Sequence, residues 1–104
     1  PLDVVRTVLG RAKIKAIFRT EKESMIIGGE VLEGKLVEKK KFEIWRDKQL
    51  LGDGKIDELQ QNKVEVNEVL GGSEFGIKAL TKTLIQAGDI LSVYDETVRK
   101  KEAL

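Results

Sequence analysis

Two pairs of glutamates are the residues of this sequence whose spacing could support acid/base chemistry. Glu30 and Glu33 form one pair, and Glu65 and Glu68 form the other. Paired carboxylates serve as general acid and base when burial shifts the pKa of one of them. Lysines surround both pairs and no apolar run encloses them, so the sequence predicts solvated charges. We therefore expect no carboxylate-only enzyme.

The segment from Gly29 to Lys35, GEVLEGK, has the glycine and lysine spacing of a phosphate-binding loop. Leu36 stands where such a loop needs a hydroxyl that binds magnesium. A phosphate-binding loop also follows a strand and opens a helix, whereas the residues between these glycines have the pattern of a strand. The sequence thus predicts no nucleotide site here.

The composition removes most other catalytic groups. The 104 residues include no cysteine and no histidine, which excludes disulfides, thiolate nucleophiles, zinc fingers and serine–histidine triads. Nineteen basic and eighteen acidic residues give a net charge of +1, so nucleic acid must be met locally if at all. We expect neither catalysis nor a cofactor.

The length and hydropathy indicate one soluble domain. Forty per cent hydrophobic residues are enough for a single core, and no apolar run approaches the 18 residues of a membrane span. The first ten residues lack a signal-peptide pattern. We expect a cytoplasmic monomer that does not contact membranes. Pro1 at the start, in place of methionine, suggests a domain cut from a longer protein.

Alternation with a period of two predicts the main elements. Ala12, Ile14, Ala16 and Phe18 fall on one side of the first strand, and Ile17 breaks the pattern. About seven short strands separated by glycine turns predict an all-β fold, and we favour a small closed antiparallel β-barrel. We expect Gly52-Asp53-Gly54 to interrupt one of these strands.

The two ends are predicted to lie outside the barrel, which spans residues 10–96. Val4, Val5, Val8 and Leu9 recur at helical spacing after a capping Asp3, so residues 1–9 are predicted to be the end of a connecting helix. The charged tail, residues 97–104, is predicted to fray or to start another helix.

Two motifs allow alternative interpretations. The run Lys39-Lys40-Lys41 could touch phosphates or could be a solvated turn. The segment 72–77, GSEFGI, could place a carboxylate and backbone groups at a barrel rim. The alternative, which the alternation favours, is an ordinary hairpin with Phe75 in the core.

Several motifs in this order resemble the last domain of bacterial translation initiation factor 2. They are Gly10-Arg11-Ala12 opening a strand that ends Phe18-Arg19, Ile26-Ile27-Gly28 before Val31, the segment 54–59, Val66-Asn67-Glu68-Val69, the segment 72–77, and Gly88-Asp89-Ile90. The resemblance covers residues 10–96. It implies a barrel of the translation-factor type, similar to domain II of elongation factors.

The resemblance also implies a function. Such a domain binds the formylmethionyl acceptor end of initiator transfer RNA within a larger factor that works on the ribosome, and GTP hydrolysis belongs to another domain. The residues that would contact the transfer RNA are Phe18, Arg19, Gly28, Gly29, Gln60, Gln61, Asn62, Lys63, Glu74, Phe75 and Gly76.

The chain departs from the family at these same places. Gly29 and Phe75 stand where the family usually has cysteine, and Gln60-Gln61-Asn62 replaces a basic-basic-aromatic triplet. Two alternatives therefore remain: a structural or protein-contact barrel that has lost transfer-RNA binding, and a barrel from a different translational GTPase.

Overall fold

Eight β-strands make up the secondary structure between residues 2 and 100, which are the residues that the computed structural model describes, with side chains for residues 5–96. The strands are β1 (Leu2–Thr20), β2 (Ser24–Val37), β3 (Lys41–Arg46), β4 (Gln49–Gln61), β5 (Val64–Glu65), β6 (Glu68–Leu70), β7 (Glu74–Leu80) and β8 (Ile90–Lys100). This part of the chain contains no helix that could cross a membrane.

Six of the strands pair in a cycle. β1 pairs with β8, β8 with β3, β3 with β4, β4 with β7 and β7 with β2, and β2 pairs back with β1. Every pairing is antiparallel, so the predicted all-β antiparallel fold is confirmed. We call this cycle the strand ring. The short strands β5 and β6 extend β4 and β2 outside it.

The inward-facing residues of the strand ring form one apolar core. Ile14, Ile27, Phe42, Ile44 and Leu59 are fully buried, and they alternate with outward polar residues as the period of two predicts. Trp45 lies on the opposite face from Phe42 and Ile44 and is half-buried. This burial is the main stabilising contribution, because apolar area removed from water yields about 25 cal/mol per Å².

The predicted N-terminal helix is wrong. Residues 2–9 are the first half of β1 and pair with β8, with Val4 opposite Val98 and Val8 opposite Tyr94. Valine is β-branched and loses side-chain freedom in a helix, so it favours a strand when a partner is present. That partner comes from the far end of the chain, where β8 includes residues 97–100 of the predicted tail. Residues 101–104 lie outside the described residues.

Bulges in β1 decide which way its last residues point. The register shifts between Ile14 and Ala16 and again between Ile17 and Arg19. A bulge inserts an extra residue and reverses the alternation beyond it. Ile17 therefore packs against the core, while Phe18 is 68% exposed. The prediction that Phe18 shares the inner side with Ile14 is wrong for this reason.

Glycines in the strands mark close approaches of neighbouring chain. Gly52 and Gly54 do not interrupt β4, which runs continuously from Gln49 to Gln61. A Cβ on Gly54 would lie 2.6 Å from the Leu80 carbonyl oxygen and 2.7 Å from Cζ of Phe42. The predicted break is therefore wrong, because Gly54 admits a neighbouring strand and a core ring, and Gly52 admits the Thr83 side chain, rather than a turn.

The loop between β7 and β8 is tied to the strand ring by a buried carboxylate. Asp89 is 1% exposed and accepts two hydrogen bonds from the Arg46 guanidinium, at 2.7 and 2.8 Å, and one from the amide of Gln86 at 2.9 Å. Burial acts to raise the pKa of Asp89, but these hydrogen bonds and the Arg46 charge outweigh it. The net pKa of Asp89 lies below its usual value of 3.8.

The lysine run before β3 is paired with carboxylates. The Nζ atom of Lys39 lies 3.4 Å from Oδ1 of Asp57, and the Nζ atom of Lys40 lies 3.0 Å from Oδ1 of Asp95. The Nζ atom of Lys41 lies 3.6 Å from Oε1 of Glu96. These ion pairs join the β2–β3 turn to β4 and β8 at the surface. Each is solvent-exposed and contributes little to stability, on the order of 0 to 1 kcal/mol.

The Asp89 contacts predict a pH dependence of stability. Because the pKa of Asp89 is lowered by folding, its stabilising contribution is complete above the usual value and is lost as the pH falls through the folded pKa. Chemical unfolding between pH 2 and pH 6 should show that the free energy of unfolding falls more steeply with decreasing pH in the native chain than in Asp89→Asn. Equal slopes in the two proteins would contradict this assignment.

Gly29 and Gly76 provide a matched pair of substitutions. A Cβ on Gly29 would overlap the Lys13 carbonyl oxygen of β1, whereas one on Gly76 would meet nothing closer than 4.0 Å. Gly29→Ala should lower the free energy of unfolding by about 3 kcal/mol, since backbone must move. Gly76→Ala should change it by less than about 1 kcal/mol. Urea unfolding measures both, and similar values for the two variants would be inconsistent with the close approach at Gly29.

Candidate functional site

Four of the predicted site residues form a row across the outer face of the strand ring. Gly28 of β2 pairs with Gly76 of β7, and Gly76 pairs with Gln60 of β4. Phe18 completes the row from β1, because a Cβ built on Gly28 would lie 2.8 Å from its Cε2 atom. Four strands, remote from one another in sequence, thus supply one continuous surface.

The two glycines of this row differ in what lies above them. Gly28 is buried beneath the phenyl ring of Phe18, and any side chain there would displace that ring. Gly76 is half-exposed and has open space above it. Since neither residue carries a side chain, the surface is hollow at this point, and Phe18 forms one wall of the hollow.

The hollow has a volume of about 220 Å³ and mixed walls. Its apolar part consists of the Phe18 ring with Ile26; Ile77 also borders it, but the Ile77 side chain is 2% exposed and belongs to the core. Its polar part consists of Gln60, one carboxylate from Glu58 and one ammonium group from Lys78. We call it the Phe18 hollow. It has the mixed apolar and polar character of a small-ligand or side-chain site, although it is smaller and more open than an enclosed ligand pocket.

Glu58 and Lys78 face each other across β4 and β7, beside the row of Gln60 and Gly76. Ile26, Glu58 and Lys78 are not among the site residues predicted from the sequence. Each lies two residues from a predicted site residue, and residues two apart share a face in a strand. This spacing of two residues was the signal in the sequence, but it could be used only once the pairing of β4 with β7 was known.

Phe75 is not part of the surface, contrary to the role that the resemblance implied. It is 6% exposed and belongs to the core, as the alternative interpretation of this segment predicted. Gly29 also faces inward, against the backbone of β1. Both residues occupy inner positions of their strands, and they pair with each other between β2 and β7. Neither is accessible to a ligand.

Glu74 is exposed at the start of β7, where it lies opposite Glu30 on β2. Lys15 sits beside this pair, with its Nζ atom 2.8 Å from Oε2 of Glu30. The hydrogen bond and charge of Lys15 lower the pKa of Glu30, and those of Glu30 raise the pKa of Lys15. A lowered pKa keeps Glu30 ionised at neutral pH, which is the opposite of what a general acid needs.

The predicted loop at residues 60–63 is the end of a hairpin. Gln60 and Gln61 are the last residues of β4 and pair with Glu65 and Val64 of β5. Asn62 and Lys63 form the turn with φ values of 54° and 64°. Two consecutive residues with positive φ are typical of a type I′ turn. The turn places the exposed Lys63 beyond the Gln60 end of the row.

Arg19 is exposed on β1 next to Phe18, and its Nε atom lies 3.2 Å from Oε1 of Glu21. Such an exposed pair is weak and can open to an anion.

The segment that resembled a phosphate-binding loop, residues 29–35, lies within β2, so the interpretation as a strand is confirmed.

A larger hollow, of about 490 Å³, lies on the outer face of β1, β8 and β3. Its lining residues are Val8, Arg11, Glu43, Trp45, Lys48, Ile90 and Ser92. It contains none of the predicted site residues. In the strand ring β8 and β3 lie across from β7 and β2, whereas β1 is next to β2, and the two hollows share no lining residue.

Comparison with known proteins finds several relatives that share one name. No protein-family model matches the chain. The chain is 43% identical over 86 residues to "Translation initiation factor IF-2" of Mesomycoplasma hyopneumoniae (strain 7448), an alignment that covers 83% of this chain and 14% of that protein. It is 40% identical over 88 residues to the protein of that name from Syntrophobacter fumaroxidans, covering 85% of this chain and 9% of that protein.

A third relative extends the alignment. "Translation initiation factor IF-2" of Vesicomyosocius okutanii is 32% identical over 99 residues, covering 95% of this chain and 12% of that protein. The chain thus spans about a tenth of the length of the relatives that it matches. It belongs to the translation initiation factor IF-2 family, as a single domain-sized part of that factor.

Proposed function

We propose that the chain is the C-terminal β-barrel domain of an IF-2 protein and that it binds the aminoacyl acceptor end of initiator transfer RNA in the Phe18 hollow. The observation that carries this proposal is the outer row of Phe18, Gly28, Gly76 and Gln60, which joins predicted site residues from four strands. In this proposal the strand ring is the closed barrel of translation factors.

The chemistry of the hollow suits an aminoacylated RNA end. The exposed phenyl ring of Phe18 offers a surface for the methionine side chain or the terminal base, and stacking on a base contributes about 1 to 3 kcal/mol. Gln60 and the backbone at Gly76 provide hydrogen-bonding groups. Lys78, Arg19 and Lys63 provide positive charge for the terminal phosphates.

The domain acts by binding and positioning. No group of His, Cys, Asp and Glu that could hold a metal ion occurs among the described residues. GTP hydrolysis belongs to another domain of the full-length factor in this proposal. The domain then works in the cytoplasm without a cofactor, as a monomer, and meets the ribosome through the rest of the factor.

A second candidate function is a structural or protein-contact domain. The observation that favours it is the replacement of two cations and an aromatic ring by Gln60, Gln61 and Asn62, together with the burial of Phe75. Amides form hydrogen bonds but do not attract phosphates. Measuring the affinity for transfer RNA distinguishes the two candidate functions.

Titration with transfer RNA is the first test. We expect weak, salt-sensitive binding of initiator aminoacyl-transfer RNA and weaker binding of an elongator. With about two phosphates neutralised, the logarithm of the association constant should fall by about 1.4 per decade of salt. Fluorescence anisotropy at about 20 to 200 mM salt measures the association constant and its salt dependence. Failure to bind either RNA at the lowest salt would reject the proposed function.

Substitution of Phe18 is the second test. Phe18→Ala should weaken binding about tenfold, the loss of one stacking contact. The control is Leu84→Ala, because Leu84 is 66% exposed and lies outside the Phe18 hollow. Thermal melts of both variants should match that of the native chain, since both side chains project into solvent. Unchanged affinity in Phe18→Ala would favour the structural function.

A further inference from the structure

The larger hollow, of about 490 Å³ on the outer face of β1, β8 and β3, contains the single tryptophan of the chain. Trp45 lies opposite Ile90 across β3 and β8, and both side chains are half-buried. Ser92 lines the hollow from the same face of β8 and, being small, leaves space beside the indole. We call this the Trp45 hollow. It offers a partly accessible aromatic surface to a flat ligand.

Two cations lie on opposite sides of the Trp45 hollow. Arg11 is on β1, and its pair with Glu33, at 3.3 Å, joins two exposed side chains and is therefore weak. Lys48 is in the turn after β3, where Asp47 and Lys48 have φ values of 50° and 65°. Such a type I′ turn fixes the backbone that carries Lys48. Since β8 lies between β1 and β3, the two charges flank the hollow.

One carboxylate, that of Glu43, also lines the hollow. Glu43 is half-buried, lies opposite Ser92 on β8 and is two residues from Trp45, on the same face of β3. None of the ion pairs within residues 5–96 includes Glu43 or Lys48. The two oxygens of Glu43 are therefore available to hydrogen-bond donors of a ligand.

The chemistry of the ligand follows from these groups. A carboxylate accepts two parallel hydrogen bonds from adjacent N–H groups. Among the RNA bases, guanine presents such a pair, its ring N–H and its exocyclic amine, on the Watson–Crick edge. That edge is accessible when the base is unpaired. A flat base also stacks on an aromatic side chain, and cations attract the phosphates on either side of it.

We infer that the Trp45 hollow binds an unpaired guanine of an RNA strand. The base stacks on Trp45, Glu43 accepts hydrogen bonds from its Watson–Crick edge, and Arg11 and Lys48 contact the phosphates before and after it. Cations on two sides suit two successive phosphates, so the ligand is a strand and not a free nucleotide. This contact is separate from the one proposed at the Phe18 hollow, because the two hollows share no lining residue.

The test uses short RNA strands of about nine uridines in which the central residue is replaced by guanosine or adenosine. The native chain should bind the guanosine strand about tenfold more tightly than the adenosine strand, which lacks the paired donors. Stacking should quench the fluorescence of Trp45, the single tryptophan. Guanosine monophosphate should bind at least about tenfold more weakly than the guanosine strand, because it lacks the second phosphate. Equal affinities in either comparison, or no binding of the guanosine strand at low salt, would overturn the inference.

Substitution of Glu43 tests the base preference. Glu43→Ala should lower the guanosine-to-adenosine ratio to about one without weakening the adenosine complex, since only the guanine contact is lost. Glu65→Ala is the matched control, because Glu65 is an exposed carboxylate of β5 outside both hollows, and it should keep the native ratio. An unchanged ratio in Glu43→Ala would contradict the assignment of Glu43.

Two aromatic substitutions distinguish the hollows. Trp45→Leu should weaken binding of both strands about tenfold, measured by the anisotropy of a labelled strand because this variant has no tryptophan. Phe18→Ala should bind the guanosine strand as the native chain does. Loss of that binding in Phe18→Ala would place the strand in the Phe18 hollow and overturn the inference. Failure of the guanosine strand to bind a chain that still binds initiator transfer RNA would reject this inference alone and leave the proposed function intact.

Discussion

The pairing of β1 with β2 is the constraint on which the rest of the structure depends. It is the one pairing that turns a row of strands into the strand ring, and it requires two backbones to approach more closely than side chains allow. Gly10 pairs with Gly34 and Gly29 pairs with Ile14 at these points, and a Cβ on any of the three glycines would meet backbone atoms. Closure also removes two exposed strand edges.

The same pairing builds the candidate site. Closure brings the end of β1 over β2, where Gly28 leaves room for the Phe18 ring. The bulge between Ile14 and Ala16 reverses the alternation of β1, so that Ile17 packs against the core and Phe18 faces outward. The phenyl ring of Phe18 is 68% exposed, and this exposure is what makes it available to a ligand in the proposed function.

The surface electrostatics explain why the proposed affinity is modest. Many of the lysines and arginines in the described part of the chain are engaged with carboxylates: Lys15 with Glu30, Arg11 with Glu33, and the run of residues 39–41 with β4 and β8. Few cations remain near the Phe18 hollow, and a carboxylate stands beside them. Recognition there depends on local matching of charge and shape more than on long-range attraction to phosphates.

The sequence alone determined the strand class, most turn positions and the inner residues of β3 and β7, because these follow from a period of two within a few residues. It also excluded cysteine and histidine chemistry. The tertiary structure decided the rest. Residues 2–9 became strand because a partner 90 positions away, as in the Arg6–Glu96 pair, lies beside them. Phe18 faces outward and Glu58 borders the hollow because bulges and strand register set these directions, and both depend on contacts between segments that are remote in sequence.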